Sequence, residues 1–441
     1  MEMPPGPPVS GPWSPPPAPA PGSPPPPDEQ PATAPDGLLA DEAANRRLVA
    51  TIAALALVAV ALMIGLLLMT RAGEDEAAAP GPAPLPPATA PVDETTDPPA
   101  DTIDQAELDA LLVELQSVVE AERGLEFLEP IDVELLENAT YVERARQDFD
   151  EDIAEDPEGL QNSAAALRAL GLWPEDVDPA DVLSQYLSVG SLGYYDPQTG
   201  EMVVRGAADT PNLRITLVHE LTHALDDQHF ELYRRALEDR PDEASLGFSA
   251  LVEGSASRVE GAYTESLTDE ERADAEAEQQ GYSDGIDPTA FPPILLAQQQ
   301  FVYLTGGAFV DAIHAAGGNA AIDEALADPP TTSEQILEPD AWPEREAVVD
   351  IPAPEADGEV VEEATAGQFL IHALAGLSAD EPTPEWDGDN TVLWQDGDED
   401  CLRMAIAGDL EALETGLTPW AEQAGADLAV DGDLLVVTSC R

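Results

Sequence analysis

The chain has no lysine, so each of its 17 basic residues is an arginine. The chain also has 89 Asp and Glu residues, so its 441 residues carry a formal net charge of −72 at pH 7. A surface this acidic repels nucleic acid and anionic lipid headgroups. The composition therefore argues against a polyphosphate-binding role and predicts no nucleic-acid partner. The length allows one large or two medium domains with a sizeable core.

Cysteine is almost as scarce, because the chain has only two, Cys401 and Cys440. Two isolated cysteines are too few for a zinc framework. The C-terminal stretch LAVDGDLLVVTSC is typical of a small hairpin, in which Cys440 could return to Cys401. In an oxidising compartment the two would form one disulfide. This topology favours a disulfide over two buried free thiols.

The chain has five histidines, and three of them fall in residues 217–230, LVHELTHALDDQHF. His219 and His223 are four residues apart, so both lie on one face of a helix and could hold one zinc ion. Glu220 lies about 100° further round, where it can meet a water without binding the ion. Burying these groups among apolar neighbours is costly unless a metal pairs them. The HExxH pattern predicts His219 and His223 as metal ligands, Glu220 as catalytic base and one Zn²⁺ per chain.

The third ligand is open between a histidine and a carboxylate. His229 would complete the HExxHxxxxxH spacing of metzincins, but these proteins usually turn the chain with glycine where this sequence has Asp226. If the helix continues, His229 lies about 80° off the ligand face and about 15 Å along the axis. The other possibility is a carboxylate on a later helix, as in gluzincins.

Glu253 is the favoured carboxylate. It lies 30 residues after His223, which suits a helix, a loop and a returning helix. The small residues GSA that follow it would let that helix approach closely. Glu260, two turns further on the same face, is the second choice.

The N-terminal part differs in composition from the rest. Residues 1–47 are rich in proline and predict a disordered cytoplasmic tail, which could offer a motif to a proline-reading partner. Residues 48–70 predict a transmembrane helix, because 48–69 is an uncharged run of 22 residues, about 33 Å long as a helix. The Pro/Ala/acidic composition of residues 71–102 predicts a linker.

The flanking charges set the predicted topology. Arg46 and Arg47 precede the apolar run, whereas acidic residues soon follow it. This bias places the N-terminus in the cytoplasm and makes residues 103–441 an extracytoplasmic domain of a single-pass cell-membrane protein.

Apolar periodicity predicts a mainly helical domain with a small antiparallel sheet, an α+β fold. Strands are predicted at 131–136, in the hairpin SLGYYDPQTGEMVVRG and in the C-terminal hairpin, and the acidic residues 386–400 read as solvated loops. The predicted helices are 103–124, 139–155, 158–171, 178–188, 212–228, 245–265 and 294–316.

Several of these segments together resemble a known family. In order, GYYDPQTGEMVV, LVHELTHALDDQHF, ALVEGSA, FVYLTGGAFVDAI and PPTTSEQIL resemble prokaryotic, extracytoplasmic HExxH zinc metallopeptidases of gluzincin type, over roughly residues 105–441. The resemblance implies a zincin-like fold, His219, His223 and Glu253 as ligands, and Glu220 as base. It also implies that the YYDP hairpin is the strand beside the substrate cleft. Family members often read EQILHP, where this chain has Glu338 before the proline.

Other residues could assist the chemistry. Zincins commonly stabilise the oxyanion with a Tyr, His or Arg side chain, for which Tyr195, Tyr263, Tyr303 and His314 are candidates. Asp227, one turn after the second ligand histidine, could orient an imidazole.

These observations predict a membrane-anchored zinc metallopeptidase that hydrolyses a peptide or protein substrate, with Glu220 as general base. The alternative is a non-catalytic cell-envelope module with a structural or vestigial zinc site. A structural site would be closed by four protein ligands, with His229 as the fourth. A degenerate enzyme is a third possibility, suggested by Glu338 in place of the family's histidine.

Overall fold

The structure, a computed structural model, describes residues 102–233, 242–283, 286–339, 342, 348–376, 384–397 and 399–441. All of these belong to one unit, Glu42–Arg441. The helices are α1 (Gln105–Arg123), α2 (Asn138–Glu155), α3 (Pro157–Ala169), α4 (Pro179–Gly190), α5 (Pro211–Phe230), α6 (Asp242–Ser266), α7 (Asp269–Ser283), α8 (Pro293–Gln300), α9 (Gly306–Gly317), α10 (Asn319–Ala327), α11 (Glu334–Leu337), α12 (Gly367–Leu374) and α13 (Leu410–Ala424). The strands are β1 (Val133–Leu136), β2 (Gly193–Asp196), β3 (Glu201–Arg205), β4 (Glu359–Ala364), β5 (Trp386–Asp396), β6 (Glu399–Gly408), β7 (Asp427–Asp431) and β8 (Leu434–Cys440).

The strands form two sheets rather than one small antiparallel sheet. The first has the order β1-β3-β2, with β1 parallel and β2 antiparallel to β3. The second is antiparallel, with the order β4-β5-β6-β8-β7. The fold is therefore a mixed, predominantly helical α/β fold. The predicted α+β fold class was wrong, because it had one small antiparallel sheet and a preceding transmembrane helix.

Most of the predicted elements are present. The helices predicted before residue 270 and both predicted hairpins are confirmed within a few residues. The acidic residues 386–400 are instead mostly strand, in β5 and the start of β6. Their inward positions carry Trp386 and Trp394, both almost completely buried, which the acidic neighbours concealed in the sequence.

The predicted transmembrane helix and the single-pass membrane location are withdrawn. Residues 48–70 lie outside the described residues, as do the proline-rich tail and nearly all of the linker. Within the described part of the chain, no helix is long and apolar enough to cross a bilayer. The described domain begins at Thr102, which forms a β-bridge with Ala208.

The helix predicted at 294–316 is interrupted. A π-helical turn, Phe301–Thr305, joins α8 to α9 and carries the buried Tyr303. π-Helical turns insert an extra residue per turn and occur often at functional sites. This turn and α9 pack against α6.

Two glycines let the backbones of α6 and α9 touch. A methyl group on Gly254 would collide with the carbonyl oxygen of Gly306, and one on Gly306 would collide with the carbonyl oxygen of Ala250. The small residues after Glu253 thus allow the close approach that the sequence predicted. Glu253 is next to this contact, so the contact fixes its depth in the fold.

Alanine at these glycines should destabilise the fold. Overpacking costs about 1–3 kcal/mol, so Gly254→Ala and Gly306→Ala should each lower the free energy of unfolding in urea. Gly261→Ala and Gly307→Ala are matched controls on the same helices, because nothing lies within 4 Å of a methyl group there. Each control should instead gain up to about 1 kcal/mol from helix propensity. Equal stability of all four variants would contradict the close contact.

The predicted disulfide between Cys401 and Cys440 is confirmed. The two residues face each other across β6 and β8, with 4.0 Å between their Cα atoms. The bond fastens the last residue of β8 to β6, the middle strand of the second sheet.

Replacing both cysteines with serine should reveal the contribution of this crosslink. The bond closes a loop of 39 residues, and a loop of that size corresponds to about 3–4 kcal/mol of stabilisation. Chemical denaturation of the double variant should show a loss of this order, and a reducing agent should produce the same loss in the unmodified protein. Unchanged stability in both experiments would mean that the sheet holds β8 without the bond.

Candidate metal centre

Helix α5 carries the HExxH residues, and its own sequence fixes its ends. Thr210 caps the N-terminus by accepting a hydrogen bond from a backbone N–H of the first turn at 3.1 Å. The helix runs without a break to Phe230 and ends at Glu231, whose φ of 51° is left-handed. Helices α1, α6 and α7 and strand β2 pack around it. The HExxH segment is therefore buried.

Helix α6 brings Glu253 against the two histidines. Nε2 of His219 lies 3.1 Å from Glu253 Oε2, and Nε2 of His223 lies 3.5 Å from Glu253 Oε1. One ligand atom from each of the three residues lies within 4.8 Å of the other two. The imidazole rings meet edge to face, 4.7 Å apart at their centroids. This buried group of three could hold a metal ion.

Glu260, the second-choice carboxylate, lies on the other side of the same imidazole. Its Oε2 is 2.8 Å from Nδ1 of His219. A carboxylate in this position accepts a hydrogen bond from Nδ1–H and so leaves Nε2 unprotonated as the ligand atom, a tautomer that we assign from this geometry. The arrangement favours Glu260 as the group that orients His219, with Glu253 as the third ligand.

His229 points away from the other two histidines. Its Nε2 is 2.9 Å from the backbone carbonyl oxygen of Glu126, because α5 continues through Asp226 instead of turning there. Asp226 forms a buried ion pair with Arg123 at 2.7 Å and accepts a hydrogen bond from Ser255 Oγ at 2.7 Å. These contacts join α1 and α6 to α5, so the carboxylate at the metzincin glycine position has a structural partner.

The polar atoms at the site fit a divalent cation. His223 Nε2 and Glu220 Oε2 are buried and have no hydrogen-bond partner among the described residues. Such atoms are costly in a folded protein unless an ion or ligand engages them. Glu220, Glu253 and Glu260 surround only two imidazoles, so the neutral-imidazole form carries excess negative charge that a cation would balance.

The pKa values reflect the same demand for positive charge. Burial lowers the pKa of His219, but hydrogen bonds with Glu253 and Glu260 outweigh it and hold the pKa well above its ordinary value. Burial would raise the pKa of Glu253, yet the two imidazoles lower it to about 2. Burial raises the pKa of Glu220 to about 7, although both imidazoles oppose the shift. The carboxylates therefore stabilise a positive charge between the histidines and Glu253, whether a proton or a metal ion supplies it.

Glu220 lies against the first sheet. A methyl group on Gly193, the first residue of β2, would lie 3.0 Å from Glu220 Oε1 and 3.0 Å from Thr216 Cγ2. A side chain at this position would press on the carboxylate, and glycine avoids that contact. The hairpin that the family resemblance placed beside the cleft therefore touches Glu220 through its backbone.

Of the four oxyanion candidates, Tyr303 is at the site. Its ring stacks on His219, with 6.4 Å between centroids and 25° between planes. Burial and the neighbouring Glu253 hold the pKa of Tyr303 well above its ordinary value, so its hydroxyl remains a donor at neutral pH. The π-helical turn in α8–α9 gives it this position.

The other proposed helpers have partners elsewhere. Asp227 does not reach a ligand imidazole, because it accepts hydrogen bonds from the Tyr195 hydroxyl at 2.9 Å and from the Leu232 backbone N–H at 2.8 Å. The remaining two oxyanion candidates form hydrogen bonds away from the site. Tyr263 is hydrogen-bonded to Arg214, and His314 Nε2 lies 3.1 Å from Arg258 Nη2.

A cavity of about 150 Å³ opens beside His219 and Glu220. One face of α5 forms its floor, from Asn212 to Glu220. Helix α7 forms a wall, and Gly190, Leu192 and Gly193 close another side. Tyr303 and Glu260 complete the boundary near the histidines. The volume suits one amino-acid side chain or a few waters.

The departure from the family's EQILHP pattern falls outside this cavity. Glu338 is exposed and does not belong to the residues that line the cavity. A histidine at this position would not line the cavity in this structure either, and the degenerate enzyme stays an alternative.

Helix α7, which forms one wall of the cavity, was not among the predicted helices. Its signal was available in the residues TDEE at 268–271. Thr268 Oγ1 accepts a hydrogen bond from the Glu271 backbone N–H. In turn, the Glu271 carboxylate accepts a hydrogen bond from the Thr268 backbone N–H at 2.8 Å. This is the reciprocal capping box that starts many helices. The low apolar content of α7 hid the two buried positions on its inner face, Ala275 and Gln279.

The chain has a weak structural relative among solved proteins. No family model and no curated protein matches the chain. One solved structure, described as "a putative hydrolase with a novel fold from Chloroflexus aurantiacus", matches 55% of this chain and 91% of its own, with 18% identity and a TM-score of 0.36. This neighbour is called a hydrolase, but so weak a likeness carries no argument about the present site.

Metal content should depend on Glu253 and not on His229. We expect the purified protein to retain about one zinc per chain. Glu253→Ala and His223→Ala should lose it, because each removes one of three ligands. His229→Ala is the matched control, since its imidazole bonds to a backbone carbonyl instead.

Elemental analysis after gel filtration measures this directly. Loss of zinc in His229→Ala alone would mean that α5 turns at Asp226 in solution. Zinc retained by Glu253→Ala would remove Glu253 from the ligand set.

Proposed function

We propose that this protein is a zinc-dependent metallopeptidase in which Glu220 acts as general base. The observation that carries the proposal is the convergence of two imidazoles and one carboxylate within 4.8 Å, next to the buried Glu220, whose Oε2 has no hydrogen-bond partner among the described residues. Two His and one Glu are a common ligand set of catalytic zinc sites, which keep a fourth position for water. This ligand set and the family resemblance both favour zinc.

His219, His223 and Glu253 would hold the ion. When bound, zinc supplies Lewis acidity, which polarises a substrate carbonyl and makes water more acidic. Glu260 would keep His219 in the ligand tautomer through the Nδ1 contact at 2.8 Å.

Glu220 would move the protons. No described residue forms a hydrogen bond with its Oε2, and the absence of a side chain on Gly193 avoids a close contact of β2 with the carboxylate. The carboxylate would take the proton of the attacking water and deliver it to the leaving amine. Tyr303 would remain a protonated hydroxyl beside Glu253 and could donate a hydrogen bond to the oxygen that gains charge.

Strand β2 supports a peptide as the substrate. It is an end strand of the first sheet, and its first residue lines the cavity beside Glu220. The outer edge of an end strand can offer backbone groups that pair with an extended peptide. A peptide lying along β2 would pass Glu220 at Gly193.

Glu220→Gln should separate metal binding from catalysis. Glutamine keeps the shape of the side chain but cannot accept the water proton, so we expect normal folding, normal zinc content and a fall in kcat of at least about 100-fold. The measurement is cleavage of a protein such as unfolded casein, followed by mass spectrometry, with elemental analysis of both proteins. The matched control is Glu270→Gln, an exposed glutamate in the first turn of α7 that does not line the cavity.

Two results would count against the proposal. Full activity of Glu220→Gln would remove Glu220 as the base. A zinc-loaded unmodified protein that cleaves no peptide would favour a non-catalytic role for the same site.

A further inference from the structure

A chain of two buried hydroxyl groups ends on Gly193, the first residue of β2. Ser191 is completely buried in the connection between α4 and β2, and its Oγ donates a hydrogen bond to the carbonyl oxygen of Gly193 at 2.8 Å. The Tyr141 hydroxyl, on α2, lies 2.5 Å from Ser191 Oγ. Ser191 has one hydroxyl proton and gives it to Gly193, so Tyr141 is the donor to Ser191. Burial raises the pKa of Tyr141, which keeps the donated proton on its oxygen.

The sheet alone does not hold the carbonyl group of Gly193. The backbone N–H of Arg205 donates to the carbonyl oxygen of Leu192 at 2.8 Å. Hydrogen-bonded and non-hydrogen-bonded pairs alternate along an antiparallel ladder, so Gly193 and Val204, which face each other, form a non-hydrogen-bonded pair. The backbone groups of Gly193 therefore point away from β3, and glycine has no side chain to restrict its torsions. The hydroxyl of Ser191 supplies the hydrogen bond that the ladder does not.

Gly193 is the residue of β2 that lies against Glu220. A methyl group on Gly193 would be 3.0 Å from Glu220 Oε1 and 3.1 Å from its Cγ. Rotation of the peptide group here would change the surface beside the carboxylate, and a carbonyl oxygen turned towards it would repel its negative charge. The hydrogen bond from Ser191 holds the carbonyl in one orientation. It thereby preserves the space that Glu220 occupies next to the ligand histidines.

The backbone of Ser191 is held as well as its side chain. Arg205, which is 4% exposed, donates from Nη1 to the carbonyl oxygen of Ser191 at 3.3 Å. Its Nε donates to Asn138 Oδ1 at 2.8 Å, and its guanidinium carbon lies 4.2 Å from the ring centroid of Tyr282. Asn138 and Tyr141 are both on α2, and Tyr282 is near the end of α7. Ser191 is thus connected to α2 and to the helix that forms a wall of the cavity.

We propose that Ser191 is a positioning residue for Glu220, acting through the Gly193 peptide group, and that Tyr141 orients its hydroxyl. The effect on catalysis rests on the proposed function, to which these two residues add a support behind the general base. Neither Ser191 nor Tyr141 lines the cavity, so neither contacts the substrate. Their contribution is to keep the wall beside Glu220 in one conformation.

The kinetic experiment uses the full-length, zinc-loaded protein. Ser191→Ala should lower kcat at least about tenfold, because a misplacement of about 1 Å at a reacting group can cost about 100-fold. The KM should stay within about twofold, because Ser191 does not contact the substrate. Ser188→Ala is the matched control: it also removes a buried hydroxyl, but one that donates to the Gln185 carbonyl oxygen at 3.3 Å within α4. Both constants should be unchanged in the control.

A second variant separates positioning from stability. Ser191→Ala leaves the Tyr141 hydroxyl buried without its acceptor, so the melting temperature should fall. Adding Tyr141→Phe removes that donor and should recover part of the melting temperature, while kcat stays at the value of Ser191→Ala. All variants are assayed at a temperature where each is fully folded. If kcat recovers together with the melting temperature, Ser191 has only a structural role and the proposal is wrong.

The hydrogen bond itself can be measured without any reaction. Glycine precedes tyrosine at two places in the chain, 193–194 and 281–282. Labelling glycine with ¹³C at the carbonyl and tyrosine with ¹⁵N therefore gives two signals in a carbonyl–amide correlation spectrum. A carbonyl carbon resonates further downfield when its oxygen accepts a hydrogen bond, so the Gly193 signal should move upfield in Ser191→Ala. The Gly281 signal, from an exposed residue of α7, is the internal reference and should not move.

The two measurements distinguish this proposal from the proposed function. If the unmodified protein cleaves no peptide but the Gly193 signal moves in Ser191→Ala, the peptidase assignment fails and the support of Gly193 by Ser191 stands. If cleavage occurs and the Gly193 signal does not move, the positioning proposal fails alone. An unchanged kcat in Ser191→Ala, or a change confined to KM, would overturn it in the same way.

Discussion

The crossing of α5 and α6 places five ionisable side chains in the interior, and contacts elsewhere in the domain hold them there against the free-energy cost of burial. Two imidazoles and three carboxylates would be strongly destabilising in an apolar core without compensating charge. Their separations are fixed from outside the site, by the backbone contact of Gly254 with Gly306 and by the Arg123–Asp226 ion pair. The ligand atoms are thus held close together by packing that does not itself involve them.

The start of α6 is fixed in a comparable way by a segment that the family resemblance had singled out. Glu243 accepts hydrogen bonds from the backbone N–H of Ser333 at 2.9 Å and from its hydroxyl at 2.8 Å. Ser333 Oγ in turn accepts from the Phe369 backbone N–H at 3.0 Å. The segment PPTTSEQIL therefore connects α6 to α12 and the second sheet, at a distance from the metal centre. Its part in the molecule is to hold the helix that carries Glu253.

The candidate site could be predicted from the sequence to the extent that it depends on local spacing. His219, Glu220 and His223 follow from helix geometry alone, and Glu253 could be preferred because Asp226 disfavours a turn before His229. The role of Glu260 could not be predicted, because one helix face brings both carboxylates towards α5 and only the tertiary packing decides which imidazole atom each one meets. Tyr303 was one of four equal candidates until the π-helical turn distinguished it, and periodicity does not reveal such a turn. α7 was missed because its two buried residues, Ala275 and Gln279, are too few to form a clear pattern. β5 was missed because acidic residues at both of its ends concealed a strand whose residues are mostly buried.

A single helix also sets the length of the cavity beside the metal centre. Asn212, Thr216 and Glu220 are spaced by four residues, so they lie along one face of α5, and all three line the cavity. At 1.5 Å per residue, the eight residues from Asn212 to Glu220 span about 12 Å. That span is longer than one side chain, so a substrate group that contacts Asn212 must lie at least one residue away from a bond held beside Glu220. Because α5 is uninterrupted from Pro211 to Phe230, this separation is fixed by the same helix that carries the HExxH motif.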